Sequence, residues 1–115
     1  MQKKNFMVDE SSLNSRKNFR KIFSNRTSNG VWYVYVLQNK ERKWYIGSTK
    51  NLQKRIFKHN SGKNKSTKYG MPWKVIYCEI SLNKEDARAR EKYLKSGMGR
   101  RYLKNRLKFF FAKGF

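Results

Sequence analysis

The run VWYVYVL at 31–37 restricts the fold more than any other feature of this chain. All seven residues are apolar or aromatic, and six of the seven are β-branched or aromatic. A strand with one wet face alternates; this one does not, which predicts a central strand buried on both faces. Its neighbour lies close by. NKERK at 39–43 is a polar turn and WYIG at 44–47 is a second short strand, and so short a connection makes an antiparallel hairpin. WKVIYCEI at 73–80 supplies a third strand, in which Cys78 alternates with Ile76 and Ile80 and is expected to be a small buried hydrophobe.

Helical periodicity fills the gaps between and after these strands. Leu52, Ile56 and His59 recur at i, i+4, i+7 within NLQKRIFKHN, with Ser48 and Thr49 as candidate caps and Asn60-Ser61-Gly62 as the stop. Asn83 caps a second helix running through Ser96, where Gly97 is expected as a left-handed terminator. A last helix is predicted over about 100–110, with Leu103, Leu107 and Phe110 as its apolar stripe. The result is an α+β fold, a small three-stranded sheet flanked by helices in the order β-β-α-β-α-α, occupying 31–107. Residues 108–115 form an aromatic tail that caps the core or makes a self-association patch.

Charge selects the partner. Lys and Arg number 29 against seven acidic residues, a net charge of +22 in 115 residues. Such self-repulsion is best relieved by a polyanion, which makes nucleic acid the expected partner. The chain is 16% aromatic, so it has a core to collapse on and is not a disordered polycation. Residues 1–30 hold seven basic and two acidic side chains among Ser and Asn, a mobile basic arm; Asp9 and Glu10 argue against an organellar transit peptide, and the cytoplasm is the expected location. The single cysteine excludes an internal disulfide and a Cys-based zinc site, and no apolar stretch approaches the roughly 20 residues needed to span a bilayer.

Phosphodiester hydrolysis needs an activated water, a cation for the developing charge and usually a metal ion. The domain has one His and five carboxylates, Glu41, Glu79, Glu85, Asp86 and Glu91, too few for a two-metal centre. A single-carboxylate site suffices for Mg²⁺, which keeps most of its waters. Glu91 is the candidate, because it falls between Ala87 and Leu94 on the inward side of its helix, whereas Glu85 and Asp86 sit in the first turn where the helix dipole accounts for them. A charge paired with Arg88 or Lys95 is the structural alternative. Arg55 and His59, four residues apart, share one side of their helix, where a guanidinium offers a fork for phosphate oxygens and a His also fits as a mere helix-end charge. Tyr35 and Tyr45 fall on strand faces that the hairpin brings within reach, and Gly47 marks a close approach of a ligand or of backbone. An ordinary phenol, with a pKa near 10, serves as a base only beside cations or metal-bound water.

Tyr33-Val34-Tyr35, Tyr45-Ile46-Gly47, Arg55, His59 and Glu91, in this order and spacing, resemble the GIY-YIG nuclease domain, and YIGSTKNLQKRIFKHNSG with AREKYLKSGMGRRYLK resembles its small standalone bacterial subgroup. The resemblance covers about 31–107 and implies a three-stranded antiparallel sheet and Mg²⁺- or Mn²⁺-dependent hydrolysis of DNA, with repair or recombination as the setting. It further implies Glu91 as metal ligand, Tyr35 as base with Tyr45 supporting the water or sharing the role, Arg55 on the pentacovalent phosphate, and His59 on phosphate or leaving group. Tyr33 stands where the first motif has Gly, and Ser48 where the related domain of the bacterial excinuclease C subunit has Lys.

The remaining basic residues form the expected DNA surface: Lys63, Lys65 and Lys68 in a loop with Ser66 and Thr67 as hydroxyl donors, then Lys95, Arg100 and Arg101. Such side chains hold phosphates without reading sequence, so binding is expected to be sequence-tolerant or directed by DNA structure. Neutralising about six phosphates gives a slope of roughly −5 of log affinity against log salt. The alternative is a nucleic-acid-binding module of the same fold that does not cleave.

Overall fold

The computed structural model describes residues 30–115, so the basic arm predicted for 1–30 lies outside the described residues except at Gly30. Strands β1 (Trp32–Gln38), β2 (Trp44–Thr49) and β3 (Lys74–Ser81) form one antiparallel sheet in the order β2-β1-β3. Helix α1 (Leu52–Asn60) connects β2 to β3; α2 (Lys84–Lys95), α3 (Gly97–Arg106) and the short α4 (Lys108–Ala112) follow β3. This is the expected architecture, with the central strand the one that reads as apolar on both faces.

Alternation along β1 builds two cores. Val34 and Val36 pack with Ile46, Ala87, Leu94 and Leu103, so α2 and α3 cover that face. Tyr35 and Leu37 pack with Trp73 and, at the margin, Tyr45, Leu52, Ile56 and Val75, beneath α1. All four β1 residues are wholly buried. Each fully buried side chain of this size contributes about 1.5–3 kcal/mol relative to exposure, which is why this strand anchors both layers.

Local chemistry moves several boundaries. Asn51, not Ser48 or Thr49, caps α1, accepting the Lys54 N–H at 3.0 Å, while Ser48 and Thr49 remain in β2. Gly97 does not terminate α2 in a left-handed conformation. Ser96, extended, ends α2 and at once caps α3, accepting from the Gly99 N–H at 3.1 Å. Gly99 is required there, since a Cβ would stand 2.1 Å from the Tyr93 carbonyl oxygen and 2.4 Å from Leu94 Cα. The helix predicted over 100–110 is therefore two helices meeting at Leu107. In the aromatic tail Phe111 stacks on Trp44 and Phe110 on Phe115.

Cys78 is exposed rather than buried. The register against β1 shifts between Val36 and Leu37, and this bulge breaks the alternation on which its burial was predicted. Ile76 packs toward α2 and α3, whereas Cys78, opposite Tyr35, falls on the other face.

Candidate active site

β2 is an edge strand, and the two layers meet around it. Tyr45 and Gly47 belong to the α1 face, Gly47 lying opposite Tyr35 in the register; Ser48, opposite Val34, turns toward α2. A cavity of about 480 Å³ wraps this edge and takes residues from both sides: Tyr45, Gly47, Ser48, Arg55, Arg88 and Glu91 among them, with Trp32 on its wall. Tyr45, Arg55 and Glu91, predicted from three separate segments, thus line one space. Arg55 comes from the second turn of α1, whose start the Asn51 cap sets.

Glu91 is inward-facing, its side chain 20% exposed. Ser48 Oγ donates to Oε1 at 2.6 Å and Lys95 Nζ to Oε2 at 2.7 Å. Glu91 faces the cavity and is at the same time paired with Lys95, the pairing expected for a structural charge. Arg88 does not take that pairing; its guanidinium lies 6.0 Å from the Trp32 ring. Ser48, at the position where the related excinuclease domain has Lys, orients the carboxylate instead of adding charge. Among the described residues no three His, Cys, Asp or Glu side chains cluster, so a metal here would rest on Glu91 alone. One hard carboxylate beside a roomy polar cavity suits Mg²⁺ or Mn²⁺, which retain water ligands.

Tyr35 and His59 lie deeper. Tyr35 is wholly buried, its ring centroid 6.4 Å from that of Tyr45, and its hydroxyl is 2.9 Å from His59 Nε2. Burial pushes its phenol pKa far up and Tyr45 adds to this; the Arg55 guanidinium offsets only part. Gly47 makes the arrangement possible, because a Cβ there would stand 2.6 Å from the Tyr35 hydroxyl oxygen and 3.1 Å from Tyr45. The close approach at this glycine is by the Tyr35 side chain, and Gly47 also lines the cavity.

His59 is also wholly buried and cannot meet a phosphate directly. Its Nδ1 lies 2.8 Å from Thr67 Oγ1, so both ring nitrogens are engaged by hydroxyls. Burial, then the nearby Arg55, lower its pKa, so the ring is held neutral, one nitrogen donating and the other accepting. Thr67, expected as a phosphate-facing hydroxyl, is buried as the end of this ladder, and its carbonyl accepts from Trp73 Nε1 at 2.8 Å.

The predicted DNA-contacting residues spread over the surface. Lys63, Lys65, Arg100 and Arg101 are exposed; Lys68 is partly covered, its ammonium over Tyr69, and Arg100 lies over Trp44. Lys95 is the exception, engaged with Glu91. Sequence reasoning missed Ser48 and Thr67 as parts of the site. Thr67 gives no signal in a loop of Lys, Ser and Thr; Ser48 had one, its place directly after the YIG strand.

The family model described as the GIY-YIG catalytic domain matches residues 31–104. The chain belongs to the GIY-YIG family. Membership places it among the nucleases of that fold. A UPF0213 protein of Clostridium perfringens is 45% identical over 64 residues, covering 55% of this chain and 69% of the relative. For a UPF0213 protein of Streptococcus pneumoniae the identity is 41%, and the match spans 65% of its length. A UPF0213 protein of Staphylococcus saprophyticus is 36% identical over 73 residues, 63% of this chain and 89% of that one. The solution NMR structure of a UPF0213 protein from Bacillus halodurans is similar with a TM-score of 0.42 and 34% identity, over 64% of this chain and 82% of that chain.

Proposed function

We propose that this GIY-YIG protein is a divalent-metal-dependent DNA endonuclease. The observation that carries the reading is the convergence of Tyr45, Arg55 and Glu91 on one cavity at the sheet edge. Glu91 would hold Mg²⁺ or Mn²⁺ through its carboxylate. When bound, such an ion supplies positive charge against the scissile phosphate and acidifies water.

The remaining chemistry belongs to the chain. Tyr45, on the cavity wall, takes the proton of the attacking water as its own phenolic proton passes to solvent through the open cavity; the new P–O bond forms as the P–O bond to the departing ester oxygen breaks, and that oxygen takes a proton from solvent. Tyr35, which the resemblance offers as base, is too deeply buried for that role; its phenol stays protonated and braces Tyr45. Arg55 meets the charge that develops on the phosphorane oxygens, where a fixed guanidinium is worth most. His59 acts through Tyr35 and is a positioning residue. The exposed Lys63, Lys65, Arg100 and Arg101, with the partly covered Lys68, hold the DNA backbone without reading sequence, on nucleoid DNA in a repair or recombination setting.

The test is nicking of supercoiled plasmid with and without Mg²⁺, wild type beside Glu91→Ala. Cleavage disappears in the variant while plasmid binding stays within about threefold, because phosphate contacts elsewhere carry the affinity. Equal nicking by both proteins overturns the reading.

A further inference from the structure

We infer that Lys95 is a built-in cation at Glu91 which a divalent ion must displace, so that this one side chain sets the divalent concentration at which the site loads. The inference rests on the reading of Glu91 given above.

Both carboxylate oxygens have a partner, and the two partners differ in kind. Ser48, at 2.6 Å from Oε1, is neutral and can keep its hydrogen bond when the carboxylate takes a cation. Lys95 Nζ, at 2.7 Å from Oε2, carries a full positive charge and repels a second cation brought to the same carboxylate. Position also separates them. Ser48 is fixed in β2, whereas Lys95 is 54% exposed on a flexible stem, one helical turn after Glu91.

The Lys95 end of this i,i+4 pair is exposed and held by a single contact, so the ammonium leaves readily. It does not leave freely, because the tether keeps its charge within a turn of the incoming ion, and the burial of Glu91 reduces the screening between them. The arrangement disfavours a divalent ion without excluding it. Once displaced, Nζ becomes available to a phosphate, which reconciles the predicted DNA contact of Lys95 with its observed place on Glu91.

Calorimetric titration of the full chain with Mn²⁺ at low ionic strength, without DNA, tests the exchange. Lys95→Met keeps the aliphatic stem and removes the charge; it is expected to bind Mn²⁺ about tenfold more tightly than wild type, the scale of one unit charge a few ångströms from a divalent ion in a solvent-rich setting. Lys95→Arg is expected to restore nearly wild-type affinity, and Glu91→Gln to lose binding. Unchanged or weaker affinity in Lys95→Met, with binding lost in Glu91→Gln, overturns the exchange and leaves Glu91 as the ligand. Wild-type affinity in Glu91→Gln overturns both. Thermal melts of each titrant establish that the variants are folded, so a change in affinity is read from intact protein.

Discussion

Glu79 and Glu91 both lie in the layer between α2 and the sheet and are almost equally shielded, at 22% and 20% side-chain exposure. Each is held by one cation and one hydroxyl, and the two cations differ in how firmly they are attached. Arg90 grips Glu79 through Nε at 2.9 and 3.1 Å and through Nη2 at 2.8 Å, and Tyr77 donates at 2.8 Å. Burial alone would raise the Glu79 pKa, yet the Arg90 and Tyr77 hydrogen bonds more than offset it and hold the carboxyl below its ordinary value. Tyr102 completes this cluster, its ring 4.8 Å from the Arg90 guanidinium. Glu91 also accepts from a hydroxyl, but its cation is the single ammonium of Lys95, more exposed than Arg90 and held by one hydrogen bond rather than three, and Glu91 opens onto the cavity. Burial therefore does not mark a carboxylate as functional. What separates the two is whether the partner can be exchanged and whether there is room for something to exchange with it.

The comparison breaks if the two carboxylates respond alike to substitution. Glu91→Gln is expected to lower the single-turnover nicking rate about 10³-fold, the scale for removing a principal electrostatic group from a hydrolytic site, with a urea midpoint close to wild type. Gly47→Ala probes the seam between the layers. Its methyl would collide with the Tyr35 hydroxyl, and overpacking of this kind costs about 1–3 kcal/mol in urea unfolding. Nicking should fall with it, as Tyr35 and Tyr45 are pushed aside together.

Glu79→Gln gives the mirror image of Glu91→Gln. Leaving Arg90 without its carboxylate is expected to cost about 1–2 kcal/mol, seen as a lower urea midpoint, while nicking by the folded fraction persists. The smallest effect is a pH dependence. The unfolded chain protonates His59 near the ordinary imidazole value of 6.5, whereas in the folded chain burial and the nearby Arg55 lower that value. Stability therefore falls as pH drops below about 6.5, by at most about 1.4 kcal/mol per pH unit from this one proton, and His59→Gln flattens that slope in urea melts at pH 5–7. A slope unchanged by His59→Gln would show that the ladder to Thr67 does not hold the ring neutral.

Much of this was legible before the fold. The unbroken apolar run marks β1 as central because only a strand covered on both sides can bury Val34, Tyr35, Val36 and Leu37 together. The spacing of Glu91 between Ala87 and Leu94 placed it on the inward side of α2 because helical geometry allows little else. Less legible were effects that arise where one element meets another. Cys78 is exposed because a bulge resets which face it occupies, and a bulge has no signature in an otherwise regular strand sequence. His59 shares a helix side with Arg55 as expected, yet one reaches the cavity and the other is sealed beneath it, because depth is set by what packs on top.

The sequence by itself determined the strand and helix order, the identity of the central strand, the polyanion-seeking charge and the set of residues able to do chemistry, since these follow from periodicity, charge and residue type along the chain. Tertiary structure alone decided that Tyr45 rather than Tyr35 lines the cavity, that the Tyr35 hydroxyl meets His59, and that Ser48 joins Lys95 on Glu91. Those outcomes depend on burial depth and on contacts between segments 24 and 43 residues apart, quantities that no local pattern carries.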